Sequence, residues 1–405
     1  MTALYQHHRW LVLIIGIIAI QGCATTIDSP ADLTITNALV VSAPGQTADK
    51  LVNISIRDSV IVSIYGGKPK RSREVIDANG RTVTAGLWNS HVHFTDLRLM
   101  QSSQSMLHDM LFKYGFTTVV DTGSSLPFTL SLKKRIEAGQ LIGPTILTAS
   151  GSFVFTDGTP SYLPDITLPE VPTAQAAKPM VNSVLDSGAN GIKIFSGSFQ
   201  AQREPIYLPP EIIDAIADAA HARDAFVMSH PTDRTGLVNA VENGVDILAH
   251  TAPQAGPLGA ELVATMKRND VALIPTLKLW KFELVRAGVE QREAEALQNL
   301  AVNQLSEYVA AQGLVIFGTD VGYMTDFDTL DEFRLMAKSG MSFDQTLASM
   351  TTNPSTFFGG KTAQLAPGAA ADIVIYETSP IHDIEAFARV DYTIKGGQVV
   401  YRKNP

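Results

Sequence analysis

Apolar residues change their spacing three times along this chain. Residues 10–20 are apolar at every position. Between residues 31 and 84 the runs shorten and alternate, as in Leu33-Thr34-Ile35, 51–56 and 60–64, with Pro44-Gly45, Arg57-Asp58 and Gly66-Gly67 as punctuation. Period-two alternation between turn residues predicts β-strands. Residues 371–376, 392–394 and 398–401 repeat the pattern around Gly396-Gly397. The two ends are therefore expected to build one small β-sandwich, residues 31–84 with 364–405.

Residues 85–363 alternate short apolar strands with helical stretches, which predicts βα units around a parallel sheet. Eight strand candidates stand out: 87–94, 117–122, 145–149, 191–195, 226–230, 246–250, 271–276 and 315–320. The clearest helix is 210–223, where Ile212, Ile213, Ile216 and Ala220 share one face after a Pro-Pro start. Eight such units fit a (β/α)8 TIM barrel in the α/β class, inserted into the terminal β-sandwich. A doubly wound open sheet is the alternative, but no Gly-rich phosphate loop follows the first strand. The long Pro-rich loop 152–179 is a candidate lid.

The chain has 405 residues, 45% hydrophobic and 18% charged, with a formal net charge of −9. Its only basic cluster is Lys68, Lys70, Arg71 and Arg73. That balance excludes a nucleic-acid partner and favours small-molecule chemistry, in a monomer or a homo-oligomer. At the start, His7, His8 and Arg9 precede the apolar run, which is shorter than the roughly 20 residues a membrane span requires. It fits a signal-peptide core. Ile20-Gln21-Gly22-Cys23 resembles a bacterial lipobox, and Cys23 is the only cysteine, so residues 1–23 are expected to be a lipoprotein signal peptide with Cys23 lipidated. Export follows, with the mature chain anchored to lipid on the periplasmic side of the outer membrane and no other membrane contact expected.

The chemistry lies at the strand ends. His91-Val92-His93 ends the first strand, and period-two geometry points both imidazoles the same way. In Gly191-Ile192-Lys193-Ile194-Phe195 the isoleucines face the helices and leave Lys193 inside, where an unpaired cation is costly. His230 ends the fifth strand, His250 the sixth, and Asp320 the eighth, above Gly318. Singly, each of these has an ordinary structural explanation. Together they are six metal-competent groups at the strand ends where barrel enzymes assemble their sites.

Ala85-Gly86-Leu87-Trp88-Asn89-Ser90-His91-Val92-His93 resembles the first-strand signature of the amidohydrolase superfamily, with Ala for the usual Pro and Trp-Asn-Ser for its acidic stretch. The later histidines, Gly318-Thr319-Asp320 and the ending Leu365-Ala366-Pro367-Gly368-Ala369-Ala370-Ala371-Asp372-Ile373 are similar to the same family. The resemblance implies a hydrolase of amide or peptide C–N bonds, of dipeptides or N-acyl amino acids, acting through hydroxide between two divalent metals. It places His91, His93 and Asp320 on one metal, His230 and His250 on the other, and Lys193 between them as a carbamate. Nitrogen and oxygen ligands suit Zn²⁺ first. Asp320 would also carry the proton to the leaving group. Lys278, Arg203 and Tyr207 are candidates for holding the substrate. Two other readings remain open here. One is a mononuclear imidazolonepropionase-like or deaminase-like enzyme, although Pro231-Thr232-Asp233 follows His230 without the Glu that such deaminases carry. The other is a non-catalytic, lipid-anchored binding protein.

Overall fold

The computed structural model describes residues 30–94, 97–360 and 363–403. The leader segment and Cys23 lie outside the described residues. No helix among the described residues is long and apolar enough to cross a membrane.

The described residues open with β1 (Ala31–Val40), β2 (Leu51–Arg57), β3 (Val60–Tyr65), β4 (Ser72–Asp77) and β5 (Thr82–Ala85). Strands β6 (Leu87–Val92), β7 (Phe116–Thr122), β8 (Thr145–Phe153) and β9 (Gly191–Phe195) follow, then the hairpin β10 (Gly197–Ser198) and β11 (Ile206–Tyr207). Next come β12 (Phe226–His230), β13 (Ile247–Ala249) and β14 (Ala272–Ile274), and the chain closes with β15 (Ile373–Tyr376), β16 (Val390–Lys395) and β17 (Gln398–Arg402).

The two chain ends share one eight-stranded sheet, in the order β17-β16-β15-β5-β1-β2-β3 with β4 beside β1. β1 joins its parts: its first half runs parallel to β4, its second half parallel to β5, and its other edge pairs antiparallel with β2. The changeover falls at a register shift between Ile35 and Ala38, where Asn37 takes φ 52. The sandwich expected from the sequence is thus hydrogen-bonded throughout as one mixed sheet. Leu33, Ile35, Ile54, Ile56, Ile373, Ile375 and Ile394 alternate onto its inner face and are fully buried.

The barrel holds seven parallel strands, in the order β14-β13-β12-β9-β8-β7-β6. Residues 315–321, expected as an eighth strand, lie between β14 and β6 and close the ring through single bridges, Leu273 with Val315 and Val92 with Val321. Backbone bonds from Ile316 N to Leu273 O (3.0 Å) and Ser90 N to Phe317 O (2.8 Å) hold the segment on both sides. Its ladder stays incomplete because the backbone leaves β geometry at Asp320, φ 61.

Among the described residues, eleven α-helices accompany the strands. They are α1 (Leu97–Met110), α2 (Leu126–Glu137), α3 (Ala174–Asp186), α4 (Pro210–His221), α5 (Arg234–Glu242), α6 (Gly259–Arg268), α7 (Leu277–Arg286), α8 (Gln291–Ala310), α9 (Leu330–Lys338), α10 (Phe343–Met350) and α11 (Thr352–Phe357). As the apolar spacing predicts, α4 buries Ile212, Ile213, Ile216 and Ala220. The long loop is shorter than expected, because β8 continues to Phe153 and α3 begins at Ala174 with Thr173 as its cap. Bonds from Val154 N to Pro169 O (3.1 Å) and Val171 N to Val154 O (2.8 Å) close its base.

Candidate metal centre

Side-chain parity along the barrel strands decides which groups reach the interior. On β12, Met228 packs in the barrel interior while Val227 packs toward the helices, so His230 follows Met228 inward. On β9, Ile192 and Ile194 join the strand–helix layer and Lys193 is left inside, 3% exposed. On β13 the interior positions are Ile247 and Ala249, and Leu248 faces the helices. Simple alternation would therefore send His250 outward. Its φ of 88 breaks the alternation and turns its ring in, to 4.6 Å from the His91 ring centroid and 4.9 Å from that of His230. Asp320 (φ 61) and Thr276 (φ 42) also occupy the left-handed region. Side chains with a Cβ adopt that region at a cost of about 1–3 kcal/mol each, and it recurs at functional sites.

Three of these groups form a compact triad: one donor atom each from His91, His250 and Asp320, all buried, lie within 4.8 Å of one another. His93 joins them, its Nε2 2.8 Å from Asp320 Oδ1, while His91 Nε2 is 3.1 Å from the same oxygen. Neither approach has hydrogen-bond geometry, so both ring nitrogens of His91 and Oδ1 of Asp320 are buried without a hydrogen-bond partner. Orphaned buried donors and acceptors are rare in folded proteins. Converging imidazoles and a carboxylate are a donor set for a divalent cation, so these residues fit a metal.

The electrostatics agree with that fit. Burial lowers His91 to about 4 and His230 to about 3, and holds His250 well below the usual imidazole range. All three are thus neutral at neutral pH, the form in which an imidazole can bind a metal. Burial alone would raise the Asp320 carboxyl, but the His91 and His93 rings more than offset it and hold it well below the carboxylate range. Burial brings Lys193 down to about 7, opposed by Asp320. Among the described residues Lys193 has no ion-pair partner, and its Nζ stands 5.9 Å from the Phe195 ring centroid.

A supporting layer fixes these side chains. His250 Nδ1 lies 2.6 Å from Thr276 Oγ1, leaving Nε2 as its free nitrogen. Thr276 in turn precedes α7, whose first two amides, Leu277 N and Lys278 N, donate to Glu332 Oε1 and Oε2 at 2.9 and 2.8 Å. Glu332 is buried, and burial raises its carboxyl to about 7 against the lowering effect of those two bonds. Such second-layer contacts orient metal ligands. Gly322, at φ 98, crosses so close to β6 that a Cβ there would lie 1.8 Å from His93 O. Gly322→Ala is expected to destabilise the protein by ~3 kcal/mol or more through steric clash and backbone strain, read as a lower denaturation midpoint. An unchanged midpoint would show that the β6 end gives way freely.

The three substrate candidates fall elsewhere. Lys278 was expected on a strand face beside Thr276; it opens α7 instead, since β14 ends at Ile274 ahead of Pro275. Its Nζ pairs with Asp326 (2.7 Å) and donates to Asp328 O (2.5 Å). Arg203 is exposed and donates to Asp157 O at 3.1 Å. Tyr207 donates to Asp233 Oδ2 at 2.5 Å. No hydrogen bond or ion pair joins any of them to the histidine cluster among the described residues. Sequence reading missed Tyr162 and Tyr323, whose rings approach His230 (6.4 Å) and His93 (6.3 Å), and Glu332 beneath α7. The only local signal for Tyr323 was its place three residues after Asp320.

A barrel with imidazoles and a carboxylate gathered at its strand ends defines a metal-dependent hydrolase. Residues 82–400 fit the model of the amidohydrolase family, and the chain belongs to that family, whose members hydrolyse C–N bonds. This sets aside the reading as a non-catalytic binding protein. The chain is similar to the dihydroorotase of Streptococcus pneumoniae serotype 4, 23% identical over 91% of this chain and 100% of the relative. It is similar to the ochratoxinase of Aspergillus niger, 21% identical over 78% of this chain and 74% of the relative. In structure it resembles a Xaa-Pro dipeptidase with methionine bound in its active site, at TM-score 0.80, 23% identical, covering 92% of this chain and 100% of that one.

Proposed function

We propose that this protein is a binuclear metal hydrolase that cleaves the amide bond joining an acyl group to an amino acid, as in a dipeptide or an N-acyl amino acid. The observation that carries the reading is the convergence of buried His and Asp atoms at the barrel mouth, those of His91 and Asp320 without hydrogen-bond partners, with a buried Lys193 that has no ion-pair partner among the described residues on β9. His91, His93 and Asp320 would hold one divalent ion and His230 and His250 the second, with Lys193 between them; zinc suits the donor set. When bound, the ions would polarise the scissile carbonyl and supply hydroxide from water near neutrality.

The chain's own residues would do the rest. The neutral Nζ of Lys193 adds to the carbon of CO2, forming an N–C bond and releasing a proton to solvent, which leaves a carbamate anion. Asp320 Oδ2, the oxygen that does not face the imidazoles, takes the proton of the attacking water and passes it to the departing nitrogen. The amine then leaves neutral. Thr276 keeps His250 in one orientation throughout, and Tyr162, from the loop 154–173, brings its ring to 6.4 Å from that of His230. Likeness to the Xaa-Pro dipeptidase along its full length supports the acyclic amide. Likeness to dihydroorotase supports a second reading, a cyclic amide at the same site.

The test is metal analysis of purified protein followed by a screen of dipeptides, N-acyl amino acids and cyclic amides including dihydroorotate. Turnover of an acyclic substrate, lost on chelation and regained with Zn²⁺, is the expected result. Turnover of cyclic amides alone would transfer the assignment to the second reading, and none by metal-loaded protein would reject both.

We further infer that Cys23 is lipidated and holds the mature chain at the periplasmic face of the outer membrane. Cys23→Ser should then shift the protein from the detergent phase to the aqueous phase, or leave its leader uncleaved. Normal processing with unchanged membrane association would reject the anchor.

A further inference from the structure

We propose that Arg286, together with the phenols of Tyr323 and Tyr162, forms the subsite that receives the carboxylate of the substrate's amino-acid half. The inference rests on the reading above, of a hydrolase of amides formed by amino acids. It begins with the length of α8, which has 20 residues where α4, α5 and α6 have 12, 9 and 10. A helix about 30 Å long outruns the short strands beside it; Tyr308 of α8 donates to Val271 O just ahead of β14 and Gln298 donates to Leu277 O just past its end, so the first turns of α8 stand with α7 beyond the metal-site end of the barrel. Arg286 is the last residue of α7.

Tyr323 links that arginine to the metal site. Arg286 Nη2 donates to Tyr323 Oη at 2.6 Å, and its guanidinium carbon lies 5.1 Å from the Tyr323 ring centroid. The Tyr323 ring is 6.3 Å from that of His93 and 6.2 Å from that of Tyr162, which is 6.4 Å from that of His230. His93, Tyr323, Tyr162 and His230 thus form a continuous aromatic wall from one proposed metal position to the other, with the guanidinium beyond Tyr323.

The free donors on that wall select an anion. Arg286 Nη2 is occupied by Tyr323 and by Glu283 Oε2 (2.8 Å), which anchors the side chain from one helical turn earlier. Among the described residues Nε and Nη1 make no hydrogen bond, which leaves three N–H groups of the planar fork. The Tyr162 hydroxyl also has no hydrogen-bond partner among the described residues, and burial raises both phenols above their usual range, so both are neutral at neutral pH. A fixed guanidinium edge with a neutral hydroxyl beside it matches a carboxylate, which it can bind through paired N–H···O bonds. Of the two halves of an acyl-amino-acid amide, only the amino-acid half carries that group.

The test compares N-acetyl-methionine, N-acetyl-phenylalanine and N-acetyl-proline, each as free acid and as carboxamide, in zinc-loaded wild type, Arg286→Gln, Arg286→Lys and Tyr323→Phe. The wild type should prefer the acids. Arg286→Gln should lose about ten- to a hundredfold in kcat/KM for them, mostly through KM, the range expected for one charge-assisted contact. The acid-to-amide ratio should collapse toward one, with part of it kept by Arg286→Lys and an intermediate loss in Tyr323→Phe. Calorimetric binding of the matching free amino acids should weaken by the same factor. If Arg286→Gln leaves the ratio intact, or slows acids and amides alike, Arg286 is only a partner of Glu283, and the inference falls while the amidohydrolase reading stands. If wild type cleaves none of the six compounds, the acyl-amino-acid reading falls and takes the inference with it.

Discussion

Replacing Lys193 with alanine is expected to reduce bound metal from about two ions per chain to one or fewer and to abolish hydrolysis. Lys193 sits on β9 between two isoleucines that face the helices, 3% exposed and without an ion-pair partner among the described residues. A protonated lysine in that position would place a cation beside His91, His93, His230 and His250, where metal ions are proposed to bind. Like-charge repulsion at close range in a poorly solvated site strongly disfavours that state. The carbamate reverses the sign of the group, and metal binding draws the equilibrium toward it. Alanine removes the bridging anion but leaves the barrel strand intact, so circular dichroism and the denaturation midpoint should change little while metal content and activity fall together. Formate, acetate or propionate supplied to the variant should restore part of both by occupying the carbamate's place. A mononuclear enzyme predicts the opposite set: one ion in the wild type, little change on removing Lys193 and no rescue. One ion in the wild type together with an active Lys193→Ala protein would exclude the binuclear centre and leave the family assignment untouched.

The position of Lys193 was readable from sequence because period-two alternation is a local rule, and the strand around it obeys that rule. His250 shows where such rules stop. Its residue type and place after an apolar run marked it as a candidate, yet alternation along Ile247-Leu248-Ala249 turns position 250 away from the interior. Only the backbone reversal at φ 88 brings the ring back, and nothing in the local spacing announces it. Lys278 failed for the converse reason. The apolar run from Ala272 suggests a strand continuing past Pro275, but proline donates no ladder bond, and the chain turns into α7 at Thr276. The barrel's last position was legible as an extended segment but not as a broken ladder, which depends on how Asp320 leaves the strand. Tyr162, Tyr323, Arg286 and Glu332 act through contacts between segments far apart in sequence, and neither composition nor spacing encodes such contacts for isolated residues.

Asp320→Asn is expected to preserve the fold and most of the metal while lowering turnover by ~10²-fold or more, the scale usual for loss of a general acid–base group. The substitution is nearly isosteric, and the geometry suits such a test. The carboxylate is 3% exposed, and its Oδ1 lies 3.1 and 2.8 Å from the Nε2 atoms of His91 and His93. An asparagine side-chain oxygen can fill the Oδ1 position and still face the two imidazoles. What it cannot supply is a second anionic oxygen able to take a proton from water and return it to the leaving nitrogen. The two roles therefore separate in one variant: metal content reports the ligand, and kcat reports the proton carrier. Metal lost in proportion to activity would make Asp320 chiefly a ligand. Full activity across the pH range with metal retained would remove it from the proton path. That path would then need another group at the barrel mouth, and Glu332 is already committed through both oxygens to the first amides of α7. Because the substitution removes the proton carrier and leaves the substrate contacts in place, the loss in the Asp320→Asn protein should appear in kcat, with KM little changed.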